Sequence, residues 1–260
     1  SVSFTVMPQT VTIQDGSTPT VNIQTDGEWF VSMVTESWLT ATPMSGKGNS
    51  SLTLKANGEN NTKTARSAQV VITERKTQQT CVVNVTQQPP TPVLQAATNA
   101  VEIASTGTET TVSVIANMTW MASADQSWCT VTPSTGSGNS SLIISAQPNG
   151  SDKIRTAKVT ISALDGSAPA VTITVTQSAT LFNITPQSIT LNQTNGNTAT
   201  VALTTTAEWS VTSISESWLS VTPASGNGNA TLTLKAGAIS GRSQRTATVT
   251  LKEKYSAKTY

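Results

Sequence analysis

Histidine is absent from these 260 residues. Ser-His-Asp and Cys-His nucleophile systems and every His-ligated metal site are thereby excluded. Charge is also scarce: 15 basic and 14 acidic side chains, scattered in ones and twos, leave a net charge of +1. Without a basic stripe there is no surface to track a phosphate backbone, so nucleic acid is not an expected partner. No apolar run approaches the roughly 18 residues of a membrane-spanning helix, and no secretory leader opens at Ser1. The chain reads as a mature or excised soluble fragment, with any targeting segment or lipid anchor lying outside it. Cysteine occurs only at Cys81 and Cys129. The two lie in different repeats where other copies carry Val or Leu, and they read as small buried hydrophobes, not as a crosslink.

What is abundant is Thr, 48 times, and Ser, 32 times. Thr and Val suit a pleated surface and crowd a helix. Alternation of period two runs through Thr231-Leu-Thr-Leu-Lys, Val171-Thr-Ile-Thr-Val-Thr and Ala247-Thr-Val-Thr-Leu, the mark of half-buried strands. Breaks fall at Asp15-Gly16-Ser17, Asp165-Gly166-Ser167 and Asn195-Gly196-Asn197. Nothing has helical spacing. The expected class is all-β, built of small sandwiches.

Internal repetition sets the organisation. Thr35–Ala56 and Ser215–Ala236 share 15 of 22 residues, and Asp125–Ala146 lies between them as a third version. Trp38, Trp128 and Trp218 are spaced by 90 and 90, and so are the Gly-x-Gly-Asn elements at Gly46, Gly136 and Gly226. An earlier tryptophan recurs at Trp29, Trp120 and Trp209, and a strand-opening arginine at Arg66, Arg155 and Arg245. Ninety residues is too long for a solenoid unit and fits an independent sandwich of about 100. Three domains are expected, at 1–88, 89–178 and 179–260. The first linker, Gln88-Pro89-Pro90-Thr91-Pro92, should be stiff and extended, and the second is only Ser178-Ala179-Thr180. The closing Val-Thr-Gln of the first two copies, ending at Gln87 and Gln177, has no counterpart before Tyr260. The third copy is therefore expected to lack its last strand, which a continuing chain, a fused downstream domain or a strand-donating partner would supply.

Parity separates the tryptophans. Trp209 shares a face with Val211, and Trp29 with Val31, which predicts the earlier tryptophan as the core anchor. Leu219 and Val221 share one face, leaving Trp218 on the other; Trp38 and Trp128 follow the same pattern. A tryptophan on that side could cover its own Thr-Pro turn, bridge neighbouring domains, or stack on a sugar, since the CH face of a pyranose suits a flat indole. The Gly-x-Gly-Asn loop lacks the Lys and helix of a P-loop and reads as a structural turn. The three arginines could bind a ligand carboxylate, pair with a protein carboxylate, or lie over an aromatic ring. No acidic pair persists: Glu36 and Glu216 correspond to Gln126 in the middle copy, and Glu28 and Glu208 correspond to Thr119. Neither a cofactor nor a metal is expected, nor is catalysis.

The pattern Trp…Ser-Trp-Leu-Thr/Ser-x-Thr-Pro-x-Ser-Gly-x-Gly-Asn…Leu-x-Leu…Arg…Val-x-Val-Thr-Gln resembles the BACON domain, a Bacteroidetes-associated module named for carbohydrate binding. The middle copy departs from it in Cys129 and in Leu94-Gln-Ala96. The resemblance implies an immunoglobulin-like antiparallel β-sandwich in secreted or cell-surface proteins of gut Bacteroidetes and some of their phages. It also implies the functional expectations: weak, multivalent binding of glycan or mucin glycoprotein through Trp38, Trp128 and Trp218, a stalk that presents another domain, or a phage tail or adhesion component.

Overall fold

The computed structural model describes residues 3–192, 197–239, 241, 243–256 and 258–260. Asn195-Gly196 of the third expected turn lies outside the described residues. Every regular element among the described residues is a strand. The chain divides into two compact units, 1–91 and 92–260.

The unit 1–91 is one sandwich. Its strands are β1 (Phe4–Met7), β2 (Thr10–Ile13), β3 (Thr20–Thr25), β4 (Glu28–Val34), β5 (Leu39–Thr42), β6 (Ser45–Lys47), β7 (Ser50–Ala56), β8 (Arg66–Glu74) and β9 (Thr80–Gln87). One sheet runs β1-β3-β7-β5 and the other β2-β9-β8-β4-β6. All pairs are antiparallel except β2 with β9. That exception arises because the N-terminal segment is split: β1 borders one sheet, and β2 crosses to the edge of the other.

The unit 92–260 holds two further cores. The first of them comprises β10 (Leu94–Ala96), β11 (Ala100–Ile103), β12 (Glu109–Ala116), β13 (Thr119–Ala124), β14 (Cys129–Thr132), β15 (Thr135–Ser137), β16 (Ser140–Ala146), β17 (Arg155–Ala163) and β18 (Val171–Gln177). Its sheets, β10-β12-β16-β14 and β11-β18-β17-β13-β15, repeat the order of the first sandwich, including the parallel pair β11 with β18. The last core comprises β19 (Phe182–Thr185), β20 (Thr198–Thr205), β21 (Glu208–Ile214), β22 (Leu219–Thr222), β23 (Ser225–Asn227), β24 (Ala230–Ala236) and β25 (Val249–Glu253). Its first sheet, β19-β20-β24-β22, is complete by the same standard, and its second, β23-β21-β25, has three strands among the described residues. Beyond β25 the chain turns back, and Thr259 bridges Lys252 where a closing strand begins in the other two sandwiches.

The alternation of apolar and polar residues becomes burial directly. In β3 the pattern Thr-Val-Asn-Ile-Gln-Thr places Val21 and Ile23 inside and Thr20, Asn22 and Gln24 outside. Sixteen residues are buried in each of the first two cores and six in the third, among the described residues. Both cysteines are free thiols; Cys129 is buried with Leu142 and Ile144, and burial pushes its thiol pKa up.

Candidate functional site

Two constellations recur, one around each tryptophan of the repeat. Trp29, Trp120 and Trp209 are buried at 0%, 0% and 3% exposure, as the parity with Val31 and Val211 predicts. The pairing of β4 with β6 sets Gly46 directly opposite Trp29; Gly136 and Gly226 stand opposite Trp120 and Trp209 in the same register. The indole lies across the glycine. A Cβ on Gly46 would come within 2.6 Å of Trp29 Cζ2, and one on Gly226 within 2.8 Å of Trp209 Cζ2.

The second glycine of the motif has a different duty. Gly48, Gly138 and Gly228 have φ of +66°, +66° and +73°, a region that side chains with a Cβ disfavour. In that turn their carbonyls accept the indole Nε1–H at 3.2, 3.0 and 3.0 Å. The asparagine completes the cradle: Asn49, Asn139 and Asn229 Oδ1 each accept a backbone N–H, from Thr25, Ala116 and Thr205, at 2.9 Å. The Gly-x-Gly-Asn element thus holds the core tryptophan of its own sandwich. The Thr-Pro bond before it is cis in all three copies, at Thr42-Pro43, Thr132-Pro133 and Thr222-Pro223.

Trp38, Trp128 and Trp218 lie in the turn just before β5, β14 and β22, half-buried. Each carries an arginine on its ring: Arg66 at 4.7 Å from the Trp38 centroid, Arg155 at 4.3 Å from Trp128, Arg245 at 4.1 Å from Trp218. A guanidinium lies well over an indole face. In the first two sandwiches a glutamine at the end of the closing strand locks it there. Arg66 Nε donates to Gln87 Oε1 at 2.8 Å, and Arg155 Nε donates to Gln177 Oε1 at 2.7 Å. The glutamine amide goes on to donate to Gly58 O in one case and to Ala104 O and Gln147 O in the other. Beside it a buried asparagine ties down the loop: Asn60 Nδ2 donates to Thr64 O and Gln87 O, Asn149 Nδ2 to Lys153 O and Ser178 O. Burial lowers the Arg155 pKa, and its Nη2 donates to the carbonyls of Gln147 and Pro148 at 2.7 and 3.0 Å. In the third sandwich the hydrogen bonds of Arg245 among the described residues go to the carbonyls of Gly237 and Ala238.

Sequence comparison decides the family. The BACON family model, described as "Putative binding domain, N-terminal", matches residues 27–88 and 111–178, and a second, the viral BACON domain, matches 181–259. This chain belongs to the BACON family. None of the curated proteins matches it. Among solved structures it is similar to a Bacteroides ovatus GH5 xyloglucanase in complex with a XXXG heptasaccharide, at 28% identity over 40% of this chain and 22% of that one, with a TM-score of 0.33. The chain therefore spans about a fifth of that protein. It is also similar to a three-immunoglobulin-domain segment of titin, I67–I69, at 9% identity over 99% of this chain and 95% of that one, TM-score 0.44. The titin domains z1z2 in complex with telethonin match at 12% identity over 68% and 95%, TM-score 0.41.

In BACON terms, the signature residues of each repeat are engaged within that repeat. Two clefts elsewhere do not use the half-buried tryptophans. One of about 550 Å³ is lined by Glu208, Trp209, Ser225, Gly226 and Lys254, and one of about 240 Å³ by Asp15, Lys55, Asn60 and Gln87. Neither includes Trp38, Trp128 or Trp218. Among the described residues no cluster of three or more Cys, Asp or Glu could hold a metal ion, and no helix is long and apolar enough to cross a membrane.

Sequence reasoning did not anticipate the buried carboxylates Glu74 and Glu253, at 0% and 1% exposure. Glu74 Oε2 accepts from the backbone N–H and the hydroxyl of Thr77, and these two donors hold its pKa below the usual value against the opposing pull of burial. Its other oxygen packs against Gly27, where any Cβ would collide with it. At the matching positions the second copy has Met118 and Ala163, and the third has Ala207 and Glu253.

Proposed function

We propose that the chain is a non-catalytic array of three BACON sandwiches, at 1–88, 89–178 and 179–260, acting outside the cell or on its surface as a spacer that presents a neighbouring domain or partner. The observation that carries this reading is the arginine on each of Trp38, Trp128 and Trp218. A sugar ring needs a bare indole face, and here the guanidinium already occupies one while the rest of the ring is partly sunk into the protein. The remaining signature residues serve the fold of their own repeat.

A second reading keeps these three tryptophans as weak glycan contacts, for mucin-type chains in particular. It is favoured by their partial exposure and their regular recurrence, which would suit multivalent attachment. The match of 181–259 to the viral BACON domain favours a third setting, a phage tail or adhesion component.

A glycan array distinguishes the first two readings. The spacer reading expects no binding of mucin-type or plant glycans by the 260-residue chain at millimolar concentration. Binding that disappears in a folded Trp38→Ala, Trp128→Ala, Trp218→Ala variant would replace it with the lectin reading.

A further inference from the structure

The second and third sandwiches are joined by more than the short segment Ser178-Ala179-Thr180. The turn at Lys254–Ser256, which follows β25, and Lys258 lie against the loop at 149–153, which follows β16. Lys258 Nζ is 2.7 Å from Asp152 Oδ2, each raising the other's preference for its charged form. Gly150 passes directly beneath the backbone of Tyr255 and Ser256, so closely that a Cβ there would overlap the Tyr255 carbonyl. Thr180 N–H donates to Ser151 O at 2.8 Å and its hydroxyl to Asn149 O. On the other side, Ser105 and Thr206 share a hydroxyl hydrogen bond of 3.1 Å.

The receiving loop is itself rigid, because buried Asn149 pins it to Lys153 O and Ser178 O. The same loop supplies the Gln147 and Pro148 carbonyls that hold Arg155 on Trp128. The joint is therefore continuous with the packing of the second sandwich. In the first sandwich the matching loop has Asn61 where Gly150 stands and Lys63 where Asp152 stands. A side chain replaces the one residue that admits the turn, and the charge is reversed.

We infer that the loop at 149–153 is a docking surface dedicated to the Lys254–Ser256 turn and Lys258, and that the two sandwiches of 92–260 unfold as one cooperative unit while 1–91 unfolds separately. This does not depend on the spacer reading, although it would make that spacer stiff at one joint. The close fit at Gly150 and the shared hydrogen bonds couple the two folds; a linker alone would not.

Hydrogen exchange of the full chain across a urea series reads each sandwich separately. In Leu142→Ala, which opens the second core, amides of β20 and β24 should lose protection at the same lowered urea concentration as those of β12 and β16, with β3 and β7 unmoved. Gly150→Arg should split the pair, the third sandwich losing protection roughly 1 M urea earlier. If β20 and β24 keep their midpoint in Leu142→Ala, or if Gly150→Arg leaves the two sandwiches unfolding together, the inference is overturned.

Discussion

The first and third sandwiches share a 22-residue segment, with 15 identities, in different surroundings. β7 reads Ser-Ser-Leu-Thr-Leu-Lys-Ala and β24 reads Ala-Thr-Leu-Thr-Leu-Lys-Ala, and both occupy the centre of a four-stranded sheet. Yet Leu54 is fully buried and its counterpart Leu234 only partly so. Val31 and Val70 are likewise buried where Val211 and Val249 are not. What differs is the sheet that holds β8 in the first sandwich and β25 in the third. In the first sandwich β9 lies beside β8 in that sheet and brings Val83 and Val85, both at 0% exposure, with Val83 paired directly to Val70. In the third, β25 is joined on that side by Thr259 and Tyr260, and Tyr260 stacks on Phe182 at 4.2 Å. Burial is conferred by the neighbouring and facing strands, not by the strand's own residues.

The sharpest way to break this comparison is to make one change twice. Leu54→Ala should cost about 2–5 kcal/mol, because it empties a closed core, and Leu234→Ala about 1 kcal/mol, because part of that side chain already meets solvent. Urea midpoints of the two sandwiches, read by hydrogen exchange, check this; equal losses would undo the comparison. Gly46→Ala and Gly226→Ala come next. Each forces the indole aside at about 1–3 kcal/mol, with Gly46 the costlier because Trp29 lies nearer than Trp209 does to its glycine. Thermal unfolding of the two variants should give that order.

Gln87→Ala sharpens the contrast from the other direction. It releases Arg66 and leaves the Gly58 carbonyl without its amide donor, at about 1–3 kcal/mol to the first sandwich. Urea unfolding of the third sandwich, whose Arg245 has no glutamine partner among the described residues, should not change. The smallest effect concerns pH. Glu74 has a lowered pKa in the fold, so its contribution is present above the ordinary carboxylate pKa and is lost as pH falls through the folded value. Thr77→Val removes a donor and raises that folded value, so the acid-unfolding midpoint of the first sandwich should move to higher pH.

Much of this was legible in advance. Period-two alternation and turn residues placed strands such as β18 and β24, but β25 begins only at Val249, so Arg245 and Ala247-Thr248 precede the strand expected there; the shared face of Trp29 with Val31 identified the core indole. The Thr-Pro…Gly-x-Gly-Asn segment was expected to be a turn throughout, but only its second glycine is in one: Gly46 lies in β6, and it and the indole it accommodates are 17 residues apart and meet only through the register of β4 with β6. The three arginines had three open roles, and the fold selected the ring-covering one. Placing Trp38 by strand alternation went astray for a simple reason: it belongs to the turn before β5, where alternation does not apply. The latch glutamines had left a signal, since Val-Thr-Gln ends both closing strands. Nothing local marked Glu74, whose neighbour Gly27 is brought to it across the sheet.

By itself the sequence determined the all-β class, the ninety-residue repeat, and which side of each strand is apolar, since these follow from side-chain shape, spacing and the two-residue period of an extended chain. Tertiary structure alone decided how deeply identical strands are buried, which face of each half-buried tryptophan is covered, and that a loop without a side chain at Gly150 receives a turn from the next sandwich. Those outcomes depend on atoms distant in the chain arriving at contact distance, which no local pattern encodes.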